Sequence, residues 1–162
     1  MGLNREQRFA LFFAWLPAAI GILGICLESS DYLSAVNTRH LLQHLGAWFV
    51  DPSRLDIDVD NHILRKTGHF VGYGTLSLLF YLGRRRSGCV LSLRRPRLTD
   101  VAFSFVWTLA VASADEYHQS FLPSRTGVPQ DVLLDIAGGT VFLLLLQLWL
   151  LLRRRRVAFA EA

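Results

Sequence analysis

Cysteine is scarce, with two residues in 162, and their placement argues against a disulfide framework. Cys26 falls in an apolar run and Cys89 in an arginine-rich one, so the two are expected at different depths and on different sides of a membrane. No pair of cysteines has the spacing of a metal site, and no HExxH motif or comparable spacing is present, so no metal is expected. The polar residues of interest have no Ser or Cys beside them in an evident nucleophile setting. There is no internal repeat and no low-complexity linker, and the length suits one domain. The formal charge of +4 would hint at nucleic-acid binding in a soluble protein, but the arginines sit in short clusters between long apolar runs. Membrane topology accounts for that pattern, and no nucleic-acid partner is expected.

A spanning helix needs about 20 mostly apolar residues, because the hydrocarbon core is about 30 Å thick. Four segments approach this: residues 9–27, 67–83 (short, with a polar start), 101–122 (apolar and then polar) and 132–152, the strongest. The expected fold is an all-α, four-helix transmembrane bundle in a single domain. Twelve of the seventeen basic residues lie before the first run, between the second and third, or after the fourth, ending in Arg153 to Arg156. The other connections carry Arg39, Arg54, Arg65, Lys66 and Arg125 among many carboxylates. Basic segments stay inside, so both termini are expected in the cytoplasm and the protein in the cytoplasmic membrane. The first run is long for a signal peptide and no A-x-A follows it, so it reads as an uncleaved span.

The first outer loop is more than a tether. Over residues 34–49, Leu41, Leu45, Trp48 and Phe49 share one helical face, which reads equally as an amphipathic helix in the interface or a lid over the bundle mouth. The stretch Asp56-Ile57-Asp58-Val59-Asp60 lacks the glycine and the twelfth-position carboxylate of a calcium loop and reads as solvated.

The polar residues inside the spans gather at their outer ends. In the second, Lys66, His69, Phe70, Tyr73, Ser77 and Phe80 recur at helical spacing. In the third, Asp115, His118 and Gln119 share a face with Glu116 one step round. In the fourth, Asp131 and Asp135 are a turn apart and Gly138-Gly139 allows close approach of another helix. The inner halves read as nearly pure Leu, Val, Phe and Ala. Because a charge in hydrocarbon is costly, Asp115, Glu116, Asp131 and Asp135 are expected to face the bundle and find partners, with Lys66 and Arg125 as the two bases and His69 and His118 able to carry the remaining charge. Glu28, ending the first span, is expected to face water. Ion pairs that merely hold helix ends together are the plain alternative, but convergence of three helices at one depth favours a site.

Two segments carry a resemblance. Arg65-Lys66-Thr67-Gly68-His69-Phe70-Val71-Gly72-Tyr73-Gly74 resembles one signature of the VanZ-like family. Asp115-Glu116-Tyr117-His118-Gln119-Ser120-Phe121-Leu122-Pro123-Ser124-Arg125, then Asp131, Asp135 and Gly138-Gly139, resembles the second. The match covers residues 66–142, with Asp135 where many members have Asn. The family's name comes from an association with low-level resistance to teicoplanin, so the resemblance implies an envelope-facing membrane protein and no particular reaction.

Two functional readings follow. In the first, Lys66, His69, Tyr73, Asp115, Glu116, Gln119, Arg125, Asp131 and Asp135 bind an amphiphile, a lipoglycopeptide or lipid-linked envelope component, among membrane lipids. In the second, an acid/base or metal-assisted enzyme, His69 with Asp115 or Glu116 forms an acid/base pair acting on a lipid-linked substrate, and the carboxylates and histidines are of the types that could hold a divalent metal. No cofactor is expected in either. A transporter is disfavoured, because an apolar inner half offers a polar solute no path.

Overall fold

A computed structural model describes residues 2–30, 57–93, 97–123 and 127–160. The helix expected over 34–49, Arg94, Arg95, Ser124 and Arg125 lie outside them. Four helices follow in order: α1 (Arg5–Glu28), α2 (Ile57–Val90), α3 (Arg97–Gln119) and α4 (Pro129–Ala160). No strand occurs among the described residues.

Local chemistry sets the helix starts. The Asn4 side chain accepts a hydrogen bond from Gln7 N (2.7 Å), and the Gln7 side chain accepts one from Asn4 N (3.1 Å). This reciprocal box satisfies two otherwise orphaned donors. α4 opens on Pro129, whose missing N–H costs nothing in the first turn.

The bundle alternates in direction. Gly83 lies against Ala14 and Trp15, Gly21 against Leu76 and Leu79, and Gly68 against Glu28, so α1 and α2 are antiparallel. Arg85 meets Asp100 and Tyr73 meets Asp115, which makes α2 and α3 antiparallel. Lys66 meets Asp131 and Gly74 meets Phe142, so α2 and α4 run parallel.

α2 packs on all three of the other helices. The close approach expected of the glycine pair is made there: Gly138 sits on the Phe70 backbone, and Gly139 on Ser77 and Thr108. Ser77 Oγ donates across this contact to the Gly139 carbonyl, 3.1 Å away. The enclosed core is Ala18, Ile25, Tyr73, Leu76, Phe80 and Ala112.

Three helical segments are long and apolar enough to cross a membrane: Arg5–Glu28, Arg97–Gln119 and Pro129–Arg154. They leave large side chains such as Phe9, Leu23, Leu98, Val106, Leu133 and Leu144 exposed, an apolar surface suited to lipid.

Several expectations need correction. The second span was expected over 67–83, but α2 runs for 34 residues, from Ile57 to Val90. Residues 57–60 form its first turn, with Val59 exposed. Because it packs on three neighbours, α2 can carry polar residues on the faces they cover. The third helix stops at Gln119, three residues short of 122, where Ser120, Phe121 and Leu122 turn the chain back through backbone bonds.

The inner half is also less apolar than expected. Asp100, Ser104 and Thr108 are buried on one face of α3, as are Ser77 and Ser87 on α2. Ser104, Thr108 and Ser87 each donate to the carbonyl four residues earlier, all at 2.8 Å. A hydroxyl satisfied by its own helix can be buried cheaply.

Candidate functional site

Asp115 is the hub where three helices meet. Its Oδ2 accepts hydrogen bonds from Ser29 Oγ at 2.6 Å, Gln119 Nε2 at 2.9 Å and Tyr73 OH at 3.1 Å. Gln119 also lies 3.3 Å from Ser29 Oγ. All four side chains are buried. Helical geometry places Asp115 and Gln119 one turn apart on α3, facing Tyr73 on α2, while Ser29 caps the end of α1. Three neutral donors stabilise this carboxylate.

Lys66 finds a carboxylate partner, as expected, but among the four acids it is not Asp115. Lys66 Nζ bonds to Asp131 of α4 instead, and both side chains are about one-third exposed. One turn deeper, His69 Nδ1 lies 3.3 Å from Asp135 Oδ1. Neither Asp135 oxygen has a hydrogen-bond partner among the described residues, although the side chain is fully enclosed. The His69 ring stacks on Tyr73 with centroids 6.1 Å apart, which connects this pair to the Asp115 hub.

Above these pairs is a cavity of about 110 Å³ lined by His62, Arg65, Lys66, His69, Gln119, Asp131 and Leu134. Four of its side chains are basic, and its one acid is held by Lys66. The volume suits a phosphate or carboxylate group and is too small for the body of a lipoglycopeptide.

Other expected members stand elsewhere. Glu116 is buried, but its Oε2 accepts from Val128 N at 2.8 Å, just ahead of α4. Its position is that of a tie between consecutive helices. His118, placed by spacing on the face of Asp115 and Gln119 but equally readable as a side chain reaching to the interface, is exposed. One residue is about 100° of helix, enough to turn His118 outward while Gln119 stays inside. Glu28, expected to face water, lies against Gly68 and Gly72 of α2 and acts electrostatically on His69. The two glycines leave the space it occupies.

Ser29, His62 and Arg65 belong to the arrangement and were not singled out as contributing side chains. Ser29 has no periodic signal, since it stands alone at the end of an apolar helix. His62 did have one: 62, 66, 69 and 73 recur on one α2 face, a pattern hidden by assuming that the span begins at 67. Among the described residues no three His, Cys, Asp or Glu side chains group closely enough to hold a metal ion.

Long apolar helices around an enclosed polar cluster define a multi-pass helical membrane protein. The chain belongs to the VanZ/LLP1 family, whose model matches residues 10–151. No curated protein and no solved structure matches it.

Proposed function

We propose that this protein binds the anionic headgroup of an amphiphile, a lipid-linked envelope component or lipoglycopeptide, at the extracytoplasmic end of a four-span bundle in the cytoplasmic membrane. In this reading α2 is the fourth span and both termini are cytoplasmic, as the arginine distribution demands. The observation that carries the reading is the cavity where His62, Arg65, Lys66 and His69 converge on a headgroup-sized space. Arg65 can take a phosphate or carboxylate bidentately and Lys66 as a point charge. The tail of the amphiphile lies along the exposed apolar helix faces.

The test uses purified protein in detergent with two probes, teicoplanin and a lipid-linked wall precursor. Arg65→Gln and Lys66→Gln are expected to weaken binding of at least one probe tenfold or more, because a charged hydrogen bond contributes about 1.5–3 kcal/mol. Both side chains reach partly exposed space, so the variants should accumulate in the membrane at normal levels. Leu145→Gln on α4 should instead harm insertion and leave intrinsic affinity alone. Unchanged affinity for both probes in both cavity variants would sink the reading.

One contact favours a second reading, an acid/base enzyme on the same class of substrate. His69 lines the cavity while Asp135, rather than Asp115 or Glu116, stands beside its Nδ1. A carboxylate there favours the tautomer in which Nε2 accepts a proton. His69→Gln that abolished turnover of the wall precursor while sparing its binding would select this reading.

A further inference from the structure

The opposite end of the bundle holds a second charged arrangement that the headgroup cavity does not use. Arg84 and Arg85, near the end of α2, are about 11 residues or more beyond Tyr73, roughly 16 Å or more along the helix. Arg85 Nη1 donates to Asp100 Oδ2 at 2.9 Å, and Arg84 Nε lies 3.9 Å from Asp100 Oδ1. The Arg84 guanidinium stacks over the Phe103 ring, 4.6 Å from its centroid. Its Nε is buried and has no hydrogen-bond partner among the described residues.

A cavity of about 440 Å³ opens here, lined by Arg84, Arg85, Gly88, Cys89, Ser92, Leu93 and Asp100. Asp100 is only 1% exposed, while the Arg84 and Arg85 side chains are 31% and 37% exposed. The cavity thus presents guanidinium to a ligand, with the carboxylate behind as the group that holds Arg85 in place. Ser92, on the wall, is the one non-glycine residue with positive φ (54°) among the described residues. A second hollow of about 390 Å³ adjoins the first, sharing Arg85 and Cys89. Its other walls are Ala10, Phe13, Ala14, Arg86 and Val90, largely apolar and contributed in part by α1.

We propose that this end carries a binding site for an anionic membrane lipid, with its phosphate held by Arg84 and Arg85 and an acyl chain in the adjoining α1–α2 hollow. A free phosphate would use the first cavity and leave the second empty, whereas a lipid uses both. Guanidinium forks match phosphate oxygens, and stacking on Phe103 pre-organises one fork. The leaflet facing a basic membrane end is the one rich in anionic lipid.

The experiment uses the full-length protein in a neutral detergent and follows thermal unfolding and bound lipid by native mass spectrometry. The probes are phosphatidylglycerol, phosphatidylcholine with the same chains, glycerol 3-phosphate and inorganic phosphate. Phosphatidylglycerol alone is expected to bind stoichiometrically and raise the melting temperature. Arg84→Gln, which leaves the Arg85–Asp100 contact intact, should weaken that binding about tenfold, the loss of one charged hydrogen bond. Arg84→Lys keeps the charge, loses the fork and should fall between, which also covers the case in which Gln fails to fold. Arg153→Gln on α4 should leave binding unchanged.

Equal stabilisation by inorganic phosphate or glycerol 3-phosphate would replace the lipid with a free anion and overturn the proposal. Equal binding of phosphatidylcholine would overturn the role of charge. An effect of Arg153→Gln as large as that of Arg84→Gln would reduce the site to diffuse attraction and overturn it as well.

Discussion

His69 Nδ1 stands 3.3 Å from Asp135 Oδ1, and Asp135 is 0% exposed. Among the described residues His69 is the ionisable base beside this carboxyl group. His69→Leu is therefore expected to destabilise the protein by about 1–3 kcal/mol, the cost of leaving a buried polar group without its neighbour. Asp135→Asn keeps the shape and an acceptor beside Nδ1, so it should cost about 1 kcal/mol or less. Unfolding in detergent measures both, and the double variant His69→Leu/Asp135→Leu should recover much of the loss. Strict additivity would show that the two side chains are not coupled.

The Asp115 hub answers to a different rule, since its partners are neutral donors. Asp115→Leu strands Ser29, Tyr73 and Gln119 together, each at about 1–3 kcal/mol, and should prevent accumulation in the membrane. Asp115→Asn retains an acceptor and should accumulate with a lowered melting temperature. Ser29→Ala removes one donor and should cost about 1 kcal/mol. Wild-type levels of the Leu variant, read by membrane immunoblot, would contradict the hub.

Gly138 tests the α2–α4 contact. A Cβ there would strike the Phe70 carbonyl, which belongs to backbone and cannot swing aside. Gly138→Ala should cost about 1–3 kcal/mol by overpacking. Gly24→Ala meets nothing within 4 Å and should be neutral or slightly stabilising, since alanine is the better helix former. Equal melting temperatures for the two variants would refute the close approach.

Topology is checked by reporter fusions. Fusions after Arg97 and at the C-terminus should report cytoplasm, and one near Asp56 should report the outside. An exported reporter at Arg97 would invert the proposed orientation and place the headgroup cavity at the cytoplasmic face.

Much of this arrangement was legible because helical spacing is a strong signal where polar residues are rare. Lys66, His69 and Tyr73 stood out on α2, as did Asp131 and Asp135 on α4, and the glycine pair marked the closest contact. Pairing was not legible. Charge alone left Lys66 four acids to choose from, and depth along the helices decides: Lys66 aligns with the start of α4 and takes Asp131, while Asp115 meets Tyr73 two turns further in. The environment of Glu28 depended on two α2 glycines far away in sequence, and Ser29 had no pattern to betray it. Asp100 was missed for a related reason: next to a run of arginines it read as part of a loop, whereas α3 begins at Arg97 and turns it inward.

The central position of α2 bears on how the chain is made. Its neighbours are apolar enough to enter lipid unaided, but α2 has no such window and packs on all three of them. During synthesis it emerges before α3 and α4, so its Lys66, His69 and Ser77 wait for residues that do not yet exist. The order of the chain thus builds in an interval of dependence, with the helix that binds the bundle together the last to be secured. A truncation after Val90 leaves that helix permanently in its interval, which makes it a natural substrate for membrane quality control.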